Sequence, residues 1–263
     1  MPILLASPPG LGNRPSCVEK RSNVLFPASS SLRLHPAIVK EAGLTDNGEA
    51  AMETRIVAVD PRAFSAEGVR PVLEAIRQGE IAVVPTETFY GLGVDAFSAR
   101  AVRSVYGLKE RDRGKPLPVV VSDLGAAERL ASEVPAVFRK IAAEFWPGPL
   151  TLVVKAKPVF PAEMLGPGGT VAVRVPGSPW LRGLLAAAGV PLTATSANLS
   201  GDAEVSDPAD IVRLFGGRVA VIVDGGRTPG GRPSTVVDLT ASPPRVLRDG
   251  AVPAARLSPF LAS

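Results

Sequence analysis

Four stretches of this sequence carry side chains able to hold or transform a polar substrate. Pro85-Thr-Glu-Thr-Phe-Tyr-Gly-Leu-Gly93 closes an apolar run with hydroxyls, a carboxylate, a phenol and glycines. Glycine lets a backbone approach a ligand closely, and strand ends are where α/β folds bind ligands. A polar turn built on glycine explains the same string equally well. Leu108-Lys-Glu-Arg-Asp-Arg-Gly-Lys-Pro-Leu117 gathers Lys109, Arg111, Arg113 and Lys115 between a helical and a strand pattern. Such a loop can clamp phosphates. The alternative is a solvated loop whose charges pair with Glu110 and Asp112. No Gly-x4-Gly-Lys-Ser/Thr string occurs, so a Walker loop is excluded. Gly169-Thr-Val-Ala-Val-Arg-Val-Pro176 sets Arg174 in a short apolar strand, on one face with Thr170 and Ala172. A charge there needs a partner, and a carboxylate suits a guanidinium; an edge strand with Arg174 in water is the other reading. Leu192-Thr-Ala-Thr-Ser-Ala-Asn-Leu-Ser-Gly201 runs a strand into hydroxyls and Asn198, a set suited to sugar or phosphate oxygens. It lacks the Gly-x-Ser-x-Gly elbow, and no nearby His could activate Ser196. Asp224-Gly-Gly226, Pro233-Ser-Thr235 and Arg248-Asp-Gly250 are turn or strand-end strings that say little singly.

What is missing narrows the chemistry further. The chain holds one Cys, Cys17, and one His, His35, and both precede Met52. From Met52 onward Cys–His and Ser–His–Asp catalysis, thiolate zinc sites and His-ligated metals are therefore excluded. Lysine, arginine, hydroxyls, carboxylates and backbone amides remain, a set that orients polyanions better than it shuttles protons near neutrality. A lone Cys cannot form an internal disulfide, so a cytoplasmic chain is the expectation. No apolar run reaches the length of about 18 residues that a membrane-spanning helix requires. The formal net charge of +4 permits an anionic ligand without requiring one.

The elements that position these strings begin after residue 51. Residues 1–51 contain Ser-Pro-Pro-Gly and Ser-Ser-Ser, with no sustained apolar period. They read as a disordered tail or as residues ahead of a misassigned start at Met52; a secretory signal fits poorly, and Glu19 and Glu41 weaken a targeting peptide. Residues 52–263 read as a single α/β domain. Strands are expected at 55–60, 81–85, 117–121, 150–154, 171–175, 192–195, 219–223, 236–239 and 246–247. Helices are expected after Ser98, over 135–145 and near 179–188, 207–215 and 253–262.

In order along the chain stand Pro85-Thr-Glu-Thr-Phe-Tyr-Gly-Leu-Gly93, Lys109-x-Arg111-x3-Lys115-Pro-Leu117, Trp146-Pro-Gly-Pro-Leu-Thr151, Val171-Ala-Val-Arg-Val-Pro176, Ser196-Ala-Asn-Leu-Ser200, Asp224-Gly-Gly226 and Ser234-Thr235. This series closely resembles the YrdC/Sua5/TsaC family of threonylcarbamoyl-AMP synthases over roughly residues 65–252. The resemblance implies a twisted mixed sheet with helices packed on it and a basic concave face holding ATP and L-threonine side by side. It implies that Thr86, Arg174 and Ala194 hold threonine, with Arg174 on its carboxylate. Lys109, Arg111 and Lys115 would contact ATP phosphates, Lys109 and Arg111 as the catalytic pair. Thr170, Ser196, Ser234 and Arg248 would line the nucleotide site. The implied reaction joins threonine and bicarbonate or CO2 into a carbamate that attacks the α-phosphate of ATP, with Mg2+ bridging phosphates. The product serves N6-threonylcarbamoyladenosine formation in tRNA, through a tRNA threonylcarbamoyl-transferase complex.

Two positions depart from the family pattern. Val120 stands where many members have His, and Glu204 stands near a Ser of longer members. Two rivals differ in class. One is a double-stranded RNA or tRNA-binding module without catalysis, which would not need Thr86, Arg174 and Ser196. The other is a carbamoyl-phosphate enzyme of hydrogenase maturation, which resides in long multidomain chains with zinc-finger-like cysteines.

Overall fold

The computed structural model of the chain describes residues 52–66 and 68–261. The expected tail at 1–51, with Cys17 and His35, lies outside them.

Eleven strands and seven α-helices make up these residues. The strands are β1 (Arg55–Ala58), β2 (Ala82–Pro85), β3 (Tyr90–Gly93), β4 (Val119–Val120), β5 (Leu150–Lys155), β6 (Thr170–Arg174), β7 (Leu192–Thr193), β8 (Thr195–Ser196), β9 (Val221–Asp224), β10 (Thr235–Asp238) and β11 (Arg245–Arg248). The helices are α1 (Arg70–Gln78), α2 (Ala99–Lys109), α3 (Leu124–Leu130), α4 (Ala136–Phe145), α5 (Pro179–Ala188), α6 (Pro208–Phe215) and α7 (Ala254–Leu261). They form a mixed α/β fold, with two sheets where the sequence suggested one. The first runs β1-β9-β2-β3-β8 and the second β11-β10-β5-β6-β4-β7.

The centre of the first sheet, β2 and β9, is apolar on both faces. Val83 and Ile222 enter the larger core, which the two sheets share with α2, α4 and α6. Their neighbours Ala82, Val84, Val221 and Val223 turn the other way, under Trp180 and Leu184 of α5 and Val72 and Ile76 of α1. Burial on both faces explains why 81–85 reads as an unbroken apolar run instead of an alternation. In the second sheet Val171 and Val173 of β6 fill the larger core. Strand alternation then turns Arg174 to the opposite face.

Helix starts follow local chemistry. Ser98 caps α2 by accepting from Ala101 N at 3.3 Å, and Asp123 caps α3 from Ala126 N at 2.8 Å. Gly79 ends α1 in the left-handed region, φ 71°, where only glycine is free of strain.

Three readings of the sequence change here. The run 192–195 is two strands, because Thr193 pairs with Val119 in the second sheet while Thr195 pairs with Leu92 in the first. Ala194 is the crossing point. The string 90–93 is strand β3, antiparallel to β2, and so only 86–89 is loop. Helices α1 and α3 lie where no helix was expected.

Phe138 of α4 meets Trp146 edge-on, with ring centroids 5.5 Å apart, and Trp146 Nε1 donates to Leu150 O at 2.7 Å. The core thereby reaches the turn that begins β5. Replacing the fully buried Phe138 by Ala is expected to cost about 3–5 kcal/mol in denaturant unfolding.

Candidate active site

An open cleft lies where the two sheets diverge around Ala194. Its empty volume, counted out to bulk solvent, is about 830 Å³. The β2–β3 loop brings Thr86, Thr88 and Phe89; β4 and β6 end there at Val120 and Arg174. The β7–β8 crossing brings Ala194, Thr195 and Ser196, and Thr151 comes from the start of β5. Ser234, Arg248, Arg111 and Glu204 also stand on the wall.

Each of these groups is held by its own surroundings. Thr86 Oγ1 donates to Phe89 O at 2.8 Å and accepts from Thr88 N at 3.1 Å, which closes the loop into a turn. Thr151 Oγ1 and Ser234 Oγ share a hydrogen bond of 2.9 Å. Arg248 lies on the Ser234 backbone, with Nη2 donating to Ser234 O at 2.8 Å and to its Oγ at 3.1 Å. A side chain at Gly250 would collide with the backbone at Pro233 and Ser234, so the Arg-Asp-Gly string exists to allow this approach. Tyr90 OH donates to Gly226 O at 2.7 Å and accepts from Gly225 N at 3.2 Å, tying the Asp-Gly-Gly turn to the same loop. Burial raises the Tyr90 pKa, so the phenol stays protonated in this role.

Lys109 behaves differently from a free phosphate ligand. It is 2% exposed and does not line the cleft. Its Nζ donates to Ser196 O, to Asn198 O at 2.6 Å and to Asn198 Oδ1 at 2.8 Å. An ammonium has three hydrogens, and these acceptors use all of them. Asn198 Oδ1 also accepts from Ser196 Oγ at 2.7 Å, and Asn198 Nδ2 donates to Asp202 O at 2.6 Å. Lys109 thus binds the Ser-x-Asn turn to the end of α2. Burial lowers its pKa to about 8; Arg111 adds to the fall and Glu204 opposes it. Burial likewise lowers the Arg248 pKa, opposed by Glu204 and reinforced by Arg174 and Arg111. Three guanidinium groups and one carboxylate therefore act on a common space.

Seven of the residues singled out in the sequence share this cleft: Thr86, Arg111, Arg174, Ala194, Ser196, Ser234 and Arg248. Lys109 lies behind the wall. Lys115 is exposed on the loop after α2, where its carbonyl accepts from Arg111 Nε at 3.2 Å. Thr170 starts β6, roughly 13 Å from Arg174 at the usual strand rise, and is not on the wall. Thr151 occupies the wall beside Ser234 instead. Its position just after Trp-Pro-Gly-Pro, second in a strand, was the available signal. Glu87, read only as a loop carboxylate, pairs with Arg174. Val120 is the Cα partner of Arg174 across β4 and β6, so an apolar side chain borders the guanidinium. Glu204 does face the cationic groups.

The Sua5_yciO_yrdC family model, which carries the description "Telomere recombination", matches residues 74–250. The chain belongs to the Sua5/YciO/YrdC family. A threonylcarbamoyl-AMP synthase of Pyrococcus abyssi is 39% identical over 178 residues, covering 68% of this chain and 52% of that one. The chain thus spans about half the length of that relative. A threonylcarbamoyl-AMP synthase of Thiobacillus denitrificans is 38% identical over 187 residues, covering 71% of this chain and 98% of the relative. Among solved structures, P. abyssi Sua5 complexed with L-threonine superposes with a TM-score of 0.74 at 35% identity, over 78% of this chain and 60% of that one. Among the described residues no helix is long and apolar enough to cross a membrane.

The Lys109 pKa gives this family site a pH signature. The folded chain releases the Lys109 proton near pH 8, whereas an ordinary lysine holds it to 10.5. Between these values the unfolded chain binds more protons, so stability gains from this group as pH rises and loses that gain as pH falls through about 8. Denaturant unfolding at several pH values is expected to show this slope in the native chain and not in Lys109→Met.

Proposed function

We propose that the chain is a threonylcarbamoyl-AMP synthase. One observation supports this most: a single cleft joins an Arg174 guanidinium bordered by Val120 and Ala194 to a second cationic side at Arg111 and Arg248, lined by Ser196, Ser234 and Thr151. The first suits an α-carboxylate with a small side chain beside it. The second suits a triphosphate and ribose.

In this reading L-threonine lies with its carboxylate on Arg174 and its body against Thr86 and Ala194. Its amine forms a bond to the carbon of CO2, or of bicarbonate with loss of water, and gives up a proton to become a carbamate. A carbamate oxygen then attacks the α-phosphorus of ATP. The bond from that phosphorus to the bridging oxygen breaks, and pyrophosphate leaves with the electron pair. Arg111 and Arg248 offset the charge that grows on the phosphate oxygens. Lys109 acts from behind the wall, by its charge and by its hold on Ser196. Magnesium would be held mainly by the nucleotide's phosphates, with Glu204 the cleft carboxylate available to it, and would supply charge neutralisation there. Catalysis by placement and charge neutralisation suits a set of described residues without His or Cys.

The product is a reactive mixed anhydride, and its acceptor is a tRNA threonylcarbamoyl-transferase complex. A cytoplasmic chain, beside tRNA and ATP, belongs to the same reading. RNA contact by the same basic groups fits the reading as an accessory property.

Pyrophosphate release from ATP by the purified chain tests it. Release is expected to require both L-threonine and bicarbonate. Arg174→Ala is expected to raise the threonine KM by about ten- to a hundredfold, the usual loss for a hydrogen-bonded charge. Turnover indifferent to threonine, or RNA binding with no turnover, would overturn the assignment.

A further inference from the structure

Arg174 is 9% exposed, and a guanidinium this buried requires acceptors for its N–H groups. Nε donates to Gly148 O at 3.1 Å, and Nη2 donates to Glu87 Oε1. Arginine has five N–H groups. Two are used here, which leaves three on a side chain that lines the cleft.

Glu87 is not on the cleft wall; it sits behind Arg174. Its Oε1 also accepts from Gly177 N at 2.7 Å. A Cβ added at Gly177 would stand 3.1 Å from Glu87 Cγ and 3.3 Å from Oε1, so this seat accommodates the carboxylate because residue 177 has no side chain. Arg182 of α5 pins the same turn, its Nη1 donating to Pro176 O and Gly177 O at 2.9 Å each. Glu87 Oε2 is buried without a hydrogen-bond partner. A buried orphan oxygen costs about 1–3 kcal/mol. The fold bears that cost at a side chain whose every hydrogen bond runs to Arg174 or to the turn beside it.

We propose that Glu87 is a positioning residue for Arg174. Its carboxylate, seated on Gly177, fixes the guanidinium from behind so that the remaining N–H groups meet the substrate carboxylate in one orientation. Gly148 O holds the other edge of the group. The inference rests on the reading of Arg174 as the anchor of the amino-acid carboxylate. Glu87 itself touches neither substrate.

The test has a part that needs no substrate. In the free chain, nitrogen-15 NMR of the arginine side chains is expected to resolve separate, slowly rotating Nη signals for Arg174, assigned by their loss in Arg174→Ala. Glu87→Ala is expected to merge them, and Glu87→Gln, which keeps an acceptor at Oε1, to preserve them in part. Calorimetric titration with L-threonine and with ATP is the second part. Glu87→Ala is expected to weaken threonine binding at least about tenfold, the effect of freeing a hydrogen-bonded charge partner, with ATP affinity held within about twofold. Gly177→Ala is expected to weaken threonine binding through Glu87, so the double variant should bind no worse than Glu87→Ala alone. Merged Nη signals already in the native chain, native threonine affinity in Glu87→Ala, equal losses for both ligands, or additive losses in the double variant would each sink the proposal. A native chain that binds no threonine, or an Arg174→Ala variant that still does, would sink the functional reading instead and leave the NMR result to decide the role of Glu87.

Discussion

A guanidinium turned away from the core on a short strand needs partners, and Arg174 imposes that need on three separate parts of the chain. The Trp146-Pro-Gly-Pro149 turn supplies a carbonyl, the β2–β3 loop supplies the Glu87 carboxylate, and the turn before α5 supplies the seat for that carboxylate. Each part is tied to the hydrophobic structure in its turn. Trp146 packs on Phe138, β2 is buried on both faces, and Trp180 of α5 lies in the smaller core. The wall around Arg174 is therefore anchored to both cores, and its guanidinium is oriented before any ligand arrives. Preorganised charge of this kind is what a site without His or Cys has to offer.

Lys109 shows the same economy from the other side. A lysine beside a cleft reads most simply as a ligand for anions, yet here its three hydrogens are spent on the Ser196–Asn198 turn. Its burial has a cost, visible in the lowered pKa. The return is a fixed β8 turn, with Ser196 on the wall and Asn198 held at both ends of its amide. Glu204 keeps the local field mixed: it favours the charged forms of Lys109 and Arg248 while facing the side of the cleft that suits phosphate.

Much of this was legible in the residues. The ordered strings from Pro85 to Thr235 marked the family, and the alternation in β6 put Arg174 and Thr170 on a face apart from Val171 and Val173. Capping serines and prolines marked several helices within a residue or two. Pairing was not legible. Residues 192–195 read as one continuous strand, and nothing local says that Thr193 joins one sheet and Thr195 the other. Glu87 could not be matched to Arg174 from sequence either, since they are 87 residues apart and the pairing depends on the bare Cα of Gly177.

The sequence by itself determined the chemistry available after Met52, the family, and the faces of the strands, because composition, motif order and side-chain period are local properties. Only the tertiary structure decided which cations reach the cleft. Arg111, Arg174 and Arg248 line it, Lys109 is spent behind it, and Lys115 stays on the exposed loop. That division depends on where distant carbonyls and carboxylates lie, and those positions exist only once the two sheets have packed around a common core.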